Sequence, residues 1–192
     1  PSDEETKQLI NFIRGLDSYD ENNNNNFKES RWKLGDIYHS RPLIVRPPSD
    51  FIAKDDSDKN SMAYYRKVNR YLEFIESTTC GEVCTSRKAV LFVGSNDGML
   101  HAFNAETGEE EWAFVPPFIA AKLPTIVNRE YDGKVGVNSG GTNPIFAVDG
   151  SPVVHDMFIR GLVQDGTSVS WEEDKSWHTI LMIPYGRGGA GF

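Results

Sequence analysis

The residue types that most often perform chemistry are sparse in this sequence and are not grouped. Four histidines stand at positions 39, 101, 155 and 178, without the spacing of a metal-binding motif. His101 and His155 lie in apolar stretches, where we expect hydrogen-bonded structural residues. The chain has no Gly-x-Ser-x-Gly, His-Glu-x-x-His or phosphate-loop motif. The sequence therefore predicts a protein that is not an enzyme, with no catalytic or cofactor-binding residues.

The two cysteines of the chain, Cys80 and Cys84, are separated by Gly-Glu-Val in a polar stretch. A zinc site needs four ligands, and no second Cys or His pair lies nearby in the sequence. The spacing also differs from the Cys-x-x-Cys of redox proteins and of c-type haem sites. A disulfide, two free thiols and a metal or haem role stay open, and we expect the disulfide. It would place the protein outside the cytoplasm.

An acidic loop contains candidate metal ligands. Asp56, Asp58 and Asn60 alternate in a way that could present oxygen atoms to calcium. A loop of the EF-hand kind also needs Gly at its sixth position and Glu at its twelfth, where this chain has Ser61 and Lys67. We therefore expect a solvated loop that precedes a helix, with no metal bound by this chain.

The composition is that of an acidic globular protein. The 192 residues include 28 acidic and 20 basic side chains, for a formal net charge of −8. With 39% hydrophobic and 11% aromatic residues, the chain can form a core. Nucleic acid is not an expected partner, because binding to a phosphate backbone needs clustered cations and the sequence has no Lys/Arg run. No apolar run approaches the roughly 20 residues that span a bilayer.

Local patterns predict a mainly β chain with two helical stretches. Residues 4–14 suit a short helix that ends at Gly15, and a loop with five consecutive asparagines follows, which we expect to be flexible. Ser61–Glu76 places apolar residues on one helical face, with Asn60 or Ser61 as the N-cap. Alternating apolar stretches predict six strands: Pro42–Arg46, Val90–Gly94, Met99–Asn104, Trp112–Val115, Val153–Ile159 and Thr179–Ile183.

A weak internal repeat relates the two halves of the chain. The segment around Ser40 resembles the segment around Ser151, 111 positions later, and Lys88–Val93 resembles His178–Ile183, 90 positions later. A helical insertion in the first copy would account for the difference between the two spacings. Two copies of a strand-turn-strand unit suggest propeller blades, although short apolar runs also recur by chance.

Residues 90–115 contain the most specific pattern in the sequence. Asn96-Asp97-Gly98 between two apolar runs predicts a tight hairpin turn, because these residue types accept a positive φ. A second turn follows at Glu106-Thr107-Gly108, and Trp112 then begins another strand. This order resembles the tryptophan-docking repeat of quinoprotein-like β-propellers. The resemblance implies that Trp112 packs between adjacent blades and that Asn96, Asp97, Gly98, Thr107 and Gly108 are structural.

Motifs along nearly the whole chain resemble, in the same order, the opening of the C-terminal propeller of PilY-type type IV pilus biogenesis proteins. They are LINFIRG, WKLGDIYHSRP, YLEF, LFVGSNDGMLHAFNAETGEEEWAFVPP, FAVDGSPVVHDMFI and GRGGAGF. The resemblance implies a partial quinoprotein-like β-propeller of about two blades over residues 34–192, with a helical insertion at about 61–76. Residues 1–33 would form a helix and an Asn-rich lead-in. We expect the chain to need the rest of the propeller as a partner.

The same resemblance implies a secreted protein, exported through the periplasm to the pilus tip or outer membrane. Its expected role is non-catalytic adhesion and surface sensing that regulate pilus extension and retraction. The expected partners are minor pilins of the tip and host or abiotic surfaces. Calcium is implied for the full-length family, in a loop further along the propeller than this chain extends. Two alternatives stay open: a fragment of a pyrroloquinoline-quinone dehydrogenase, which needs adjacent cysteines and repeated tryptophan motifs, and an outer-membrane propeller scaffold.

One departure from the family concerns integrin binding. Some relatives carry Arg-Gly-Asp close to the position where this chain has Arg14-Gly15-Leu16-Asp17. The inserted Leu16 interrupts the tripeptide, so we do not expect this chain to bind integrins.

Overall fold

The structure is a computed structural model, and it describes residues 2–21, 24–49, 51–78, 83–127, 145–159, 162–165, 168–171 and 177–192. The helices are α1 (Asp3–Ile13), α2 (Met62–Val68) and α3 (Tyr71–Glu76), and 3-10 segments lie at Cys84–Ser86, Pro117–Thr125 and Gly186–Gly188. The strands are β1 (Leu43–Val45), β2 (Val90–Gly94), β3 (Leu100–Asn104), β4 (Glu110–Phe114), β5 (Val153–Phe158), β6 (Leu162–Asp165), β7 (Ser168–Trp171) and β8 (Trp177–Met182).

Helix α1 begins with a capping box. The Ser2 hydroxyl accepts a hydrogen bond from the Glu5 amide, and the Glu5 carboxylate accepts one from the Ser2 amide, so two free backbone donors are satisfied. At the other end, Gly15 adopts a φ of +97° just after the helix. Phe12 is fully buried and packs with Ile119 and neighbouring residues of the 3-10 segment. The lead-in is thereby anchored to the body of the protein.

Strands β1 to β4 form a four-stranded antiparallel meander in chain order. Leu43, Phe92, Ala102 and Trp112 face one another in register, one from each strand, and form an apolar row across the sheet. A bulge between Ala102 and Phe103 shifts the β3–β4 register by one residue. Each of the six predicted strands corresponds to a strand of the structure.

The internal repeat predicted from the sequence corresponds to two similar pairs of strands. In the first pair, Leu43 of β1 faces Phe92 of β2, and in the second pair, Val153 of β5 faces Met182 of β8. Both pairs are antiparallel. Matching residues in register are 110 positions apart between β1 and β5 and 90 positions apart between β2 and β8. The spacing of 111 between Ser40 and Ser151 is one residue longer than 110, because Arg41 separates Ser40 from the following proline in the first copy alone.

The chain segments that lead into β1 and β5 run beside each other in the same direction. Nδ1 of His39 lies 2.8 Å from Oδ2 of Asp149, and the Arg41 amide donates to the Ser151 hydroxyl at 3.1 Å. Because both contacts join residues 110 positions apart, the segments are parallel and in register. The two pairs of strands are therefore neighbours.

The predicted single helix over Ser61–Glu76 is wrong, because the chain forms two short helices. Ser61 does cap α2, since its hydroxyl accepts from the Tyr64 amide. Arg70 then adopts a left-handed conformation with a φ of 58°, which ends the first helix and starts the second. An isolated break of this kind leaves the apolar periodicity almost intact, which is why the pattern indicated one helix.

A second core cluster attaches these helices to β8. Trp177 is 2% exposed, its ring contacts those of Tyr71 and Phe74, and its indole nitrogen donates to the Asn69 carbonyl at 2.6 Å. The helical insertion in the first repeat unit thus packs on the second unit. The described part of the chain is mainly antiparallel β-structure with short helices, and none of its helices is long and apolar enough to cross a membrane.

Candidate functional site

The turn between β2 and β3 is buried and carries a network of charged side chains. Asn96 and Asp97 are 7% and 4% exposed, which is unusual for hairpin-turn residues. Gly98 adopts a φ of +97°, and a Cβ atom there would lie 2.9 Å from Cδ2 of Leu123. Both the backbone conformation and the close neighbour therefore require glycine.

Asp97 organises this turn through its two carboxylate oxygens. Oδ1 accepts from the Met99 amide at 2.9 Å. Oδ2 accepts from the Gly35 amide at 2.8 Å, from the Ser95 hydroxyl at 3.0 Å and from Nε2 of His101 at 2.9 Å. One buried carboxylate thus closes its own turn, fixes the incoming segment at residue 35 and pairs with a histidine.

His101 is completely buried and has a carboxylate at each ring nitrogen. Nε2 bonds to Asp97, and Nδ1 lies 2.7 Å from Oε1 of Glu110. Because ionised carboxylates only accept hydrogen bonds, this site suits the protonated ring, in which both nitrogens donate. Burial alone would lower the pKa of His101, but the hydrogen bonds and charges of Asp97 and Glu110 outweigh it and raise the pKa above the ordinary 6.5.

Glu110 connects this network to the lead-in segment. Its second oxygen, Oε2, accepts from Nζ of Lys33. Burial of Glu110 would raise its pKa, but the hydrogen bonds from Lys33 and His101 prevail and hold the pKa below the ordinary 4.5. The bulge in β3–β4 explains the contact with His101, since a regular strand would place Glu110 on the same face as Trp112. The network ties β3, β4 and the lead-in together.

This arrangement stabilises structure and is not suited to acid–base catalysis. A general base needs a free lone pair within reach of a substrate, and both His101 nitrogens are occupied in a buried site. The expectation that His101 is a hydrogen-bonded structural residue is confirmed. The Asp97–His101–Glu110 grouping itself was not expected from the sequence. The four-residue spacing of Asp97 and His101 across a turn was a usable signal, whereas the contact with Glu110 depends on the bulge.

The second predicted turn, between β3 and β4, lies at the surface. The Asn104 side-chain oxygen accepts from the amides of Glu106 and Thr107 at 2.9 and 3.2 Å. Gly108 has a φ of +77°, and a Cβ atom there would meet no other atom within 4 Å. Thr107 and Gly108 are both exposed. The side-chain hydrogen bonds that close this turn are local.

In this chain by itself, the Trp112 side chain is 46% exposed, so its packing between adjacent blades stays a prediction. One face of the ring contacts Phe92, with centroids 5.6 Å apart. Because β4 is the edge strand of the sheet, the apolar row ends at Trp112 among the described residues. The buried tryptophan of the described residues is Trp177.

Curated proteins of known name align with the whole of this chain. The type IV pilus biogenesis factor PilY1 of Pseudomonas aeruginosa strain UCBPP-PA14 is 32% identical over 192 residues, which is 99% of this chain and 13% of that protein. PilY1 of strain PAK is 30% identical over 190 residues, with the same shares covered. A PilY1 homologue of Xylella fastidiosa is 29% identical over 184 residues, 96% of this chain and 12% of the relative.

The chain is similar to these PilY1 proteins along nearly all of its length. The resemblance to PilY-type proteins stated from the sequence motifs is confirmed. The chain spans about an eighth of the length of these relatives. No family model and no solved structure matches it.

The segment that stands in place of the Arg-Gly-Asp tripeptide is folded against the protein. Arg14 caps the end of α1, and Gly15 follows it with a positive φ. Asp17 is 2% exposed, and its carboxylate accepts from the Glu21 amide at 2.8 Å. The aspartate is therefore not presented to solvent.

The remaining predicted site residues lie away from the turn network. Asp56 pairs with Lys67 at 2.7 Å, and Asp58 accepts from the Asn60 amide at 3.2 Å, in an exposed loop. In the parts of the chain that the structure describes, no three His, Cys, Asp or Glu side chains are grouped to hold a metal. Cys84 is fully buried and disulfide-bonded. Cys80, its predicted partner, lies outside the described residues, so the pairing stays a prediction.

Proposed function

We propose that this chain forms two neighbouring blades of a quinoprotein-like β-propeller within a type IV pilus biogenesis factor. The observation that carries the proposal is the 32% identity to PilY1 over 99% of the chain. The proposed role of the whole protein is non-catalytic adhesion and surface sensing at the pilus tip or outer membrane, through which pilus extension and retraction are regulated. Minor pilins and host or abiotic surfaces are the proposed partners, and calcium is proposed to bind elsewhere in the full-length protein.

The four-stranded sheet supports the assignment of a blade. Propeller blades are antiparallel four-stranded sheets whose strands follow one another in chain order. Strands β1 to β4 have this order, with Leu43 at one edge of the apolar row and Trp112 at the other. In the proposed arrangement, β1 is the inner strand and β4 the outer strand.

The second pair of strands supports a neighbouring blade. Strands β5 and β8 repeat the pairing of β1 and β2, and the segments before β1 and β5 run parallel with contacts at His39–Asp149 and Arg41–Ser151. Inner strands of adjacent blades run in the same direction around a propeller. We propose that β5 begins the second blade and that β6 and β7 form a hairpin inserted into it.

The exposed end of the apolar row supports a contact with further chain. Trp112 and Phe114 are 46% and 44% exposed on the edge strand, although Leu100 and Ala102 on the neighbouring strand are buried. Large aromatic side chains contribute most stability when both faces of the ring are covered. We propose that another part of the full-length protein covers Trp112, as the tryptophan-docking resemblance implies.

The role in the pilus is tested by deleting residues 1–192 in frame from the natural gene. We expect surface pili and twitching motility to be lost and attachment to a solid surface to fall, with recovery when the intact gene is supplied. Normal pilus number, motility and attachment in the deletion strain would contradict the proposed role.

A single substitution separates the interface at Trp112 from a general loss of folding. Trp112→Ala should reduce surface pili, whereas Trp32→Ala, which removes a tryptophan that is 83% exposed, should leave them unchanged. Both variants must reach the cell surface at the natural level, measured by immunoblotting of intact cells. Equal behaviour of the two variants would contradict the proposed packing of Trp112.

The non-catalytic assignment is tested on the purified protein at its full natural length. We expect neither quinone absorbance nor electron transfer from an alcohol to an artificial acceptor. A bound quinone with dehydrogenase activity would instead favour the quinoprotein dehydrogenase alternative.

A further inference from the structure

A groove of about 270 Å³ lies between β1 and β5, where the two repeat units meet. Its apolar lining consists of residues of β1 and Val154 of β5. Its polar part is cationic, because three arginines line it against a single carboxylate, with one histidine beside them. These residues are Arg46, Arg66, Arg87, His155 and Asp156.

The three arginines have no ion-pair partner among the described residues. The Arg87 guanidinium donates to the Arg46 carbonyl at 2.7 and 3.2 Å and to the Thr179 hydroxyl at 2.8 Å, all neutral acceptors. Arg66 donates to the Phe51 carbonyl at 3.4 Å, and its guanidinium carbon lies 4.7 Å from the centre of the Tyr71 ring. Its Nε is buried without a hydrogen-bond acceptor. The guanidinium groups of Arg66 and Arg87 are therefore held by neutral acceptors and by an aromatic ring, without a direct ion pair.

The carboxylate that lines the groove is committed to other donors. Oδ2 of Asp156 accepts from the Tyr71 hydroxyl at 2.5 Å, and Oδ1 accepts from the Thr179 hydroxyl at 2.6 Å. Thr179 stands between Asp156 and Arg87, since its hydroxyl also accepts from Nη1 of Arg87. No direct ion pair between Asp156 and an arginine forms in this part of the structure.

A positive groove is exceptional in a chain whose formal net charge is −8. Like charges held close together repel one another, so their retention at one place favours a negatively charged occupant. Guanidinium groups match the planar geometry of carboxylates and the oxygens of phosphates, to which they donate two hydrogen bonds at once. We propose that the groove between β1 and β5 binds an oxyanion, a carboxylate or phosphate group of a small ligand, through Arg46, Arg66 and Arg87. The site is independent of the proposed role in the pilus.

Binding is tested by isothermal titration calorimetry on the protein at its full natural length, at low ionic strength. Inorganic phosphate and citrate are titrated separately, so that the two arms distinguish a phosphate site from a carboxylate site. We expect at least one of them to bind, and Arg46→Gln and Arg87→Gln each to raise its dissociation constant about tenfold or more. Arg14→Gln removes the same charge from an exposed position outside the groove and should leave the constant within about twofold.

Thermal unfolding of each variant distinguishes a loss of anion binding from a loss of folding. Arg46 is exposed and its side chain is not needed for the contacts with Arg87, so Arg46→Gln should melt at the natural temperature. If Arg87→Gln does not fold, the affinity of Arg46→Gln decides the result. The proposal is overturned if neither anion binds at up to about 10 mM. It is also overturned if Arg14→Gln weakens binding as much as Arg46→Gln.

Discussion

The two hairpin turns of the four-stranded sheet have similar sequences and opposite surroundings. Asn96-Asp97-Gly98 connects β2 to β3 and is buried, whereas Glu106-Thr107-Gly108 connects β3 to β4 and is exposed. Each ends in a glycine with a positive φ. In the first turn, the Asp97 side chain accepts hydrogen bonds from three other segments, including the lead-in at Gly35. In the second turn, the side-chain oxygen of Asn104 accepts from the nearby amides of Glu106 and Thr107.

The comparison shows that a turn motif defines the local backbone conformation. It does not define how much the turn contributes to the free energy of unfolding. Both turns need a residue that accepts a positive φ, so the sequence predicts both turns in the same way. The buried turn also neutralises the charge of His101 and binds the lead-in segment, which are long-range tasks. We therefore expect equivalent substitutions in the two turns to differ strongly in their effect on stability.

The largest difference is expected between Asp97→Ala and Asn104→Ala. Removal of the Asp97 carboxylate leaves a buried imidazolium with one partner and the donors at Gly35, Ser95 and Met99 without an acceptor. We expect a loss of about 3–5 kcal/mol in the free energy of unfolding. Asn104→Ala should cost about 1 kcal/mol. Urea unfolding followed by circular dichroism measures both, and equal losses would contradict the special role of the buried turn.

The pH dependence of stability sharpens the same comparison. The folded-state pKa of His101 is raised above the ordinary 6.5, so its contribution is fully present below about 6.5 and is lost as the pH rises through the folded pKa. Glu110 acts oppositely, because its lowered pKa gives a contribution that is present above about 4.5 and lost as the pH falls through the folded pKa. The network therefore contributes most to the free energy of unfolding between about pH 4.5 and about pH 6.5.

We expect His101→Gln to remove the high-pH part of this dependence. The free energy of unfolding of the natural protein should fall with rising pH by at most about 1.4 kcal/mol per pH unit, the limit for one proton. The variant should lack this slope, whereas Asn104→Ala in the exposed turn should retain it. Urea unfolding at a series of pH values measures the slopes, and the same slope in His101→Gln and the natural protein would exclude His101 as its source.

The glycines of the two turns provide a smaller contrast. Gly98→Ala introduces both a strained φ and a contact 2.9 Å from Leu123, so we expect a loss of about 2 kcal/mol or more. Gly108→Ala introduces the strain alone, since open space surrounds its Cβ position, and should cost about 1 kcal/mol. Thermal unfolding of the two variants measures the difference, and a greater loss at Gly108 would contradict the assigned surroundings.

The smallest expected effect is that of Trp112→Ala on the isolated chain. A large side chain that is about half exposed contributes about 1 kcal/mol through burial, well below the roughly 3–5 kcal/mol expected for Trp177→Ala in the second core cluster. Denaturant unfolding of residues 1–192 compares the two variants directly. A loss at Trp112 as large as that at Trp177 would show that Trp112 is buried without any further chain.

Much of the secondary structure was predictable from the sequence, because it depends on local patterns. The alternating runs at Val90–Gly94 and Met99–Asn104 identified β2 and β3, and Ser61 identified the start of α2. The break at Arg70 was not predictable, since nothing in the local pattern requires a left-handed residue there.

The candidate site was only partly predictable, because burial and charge pairing depend on segments far apart in the chain. The turn at Asp97 followed from its sequence, but its bond to Gly35 joins residues 62 positions apart. Trp112 and Trp177 both lie in strands that pair with a single strand, and their different burial follows from the helical insertion, which packs on Trp177. The arginine groove joins β1 to β5 and has no signature in either segment alone.

An experimental structure of the protein at its full natural length tests most directly whether the two repeat units are neighbouring blades of one propeller. We predict that β1 and β5 lie side by side as inner strands of a closed ring. We also predict that further chain covers Trp112, so that its exposed fraction falls far below the present 46%. A structure in which β1–β4 and β5–β8 are not adjacent, or in which Trp112 stays half exposed, would contradict the propeller assignment.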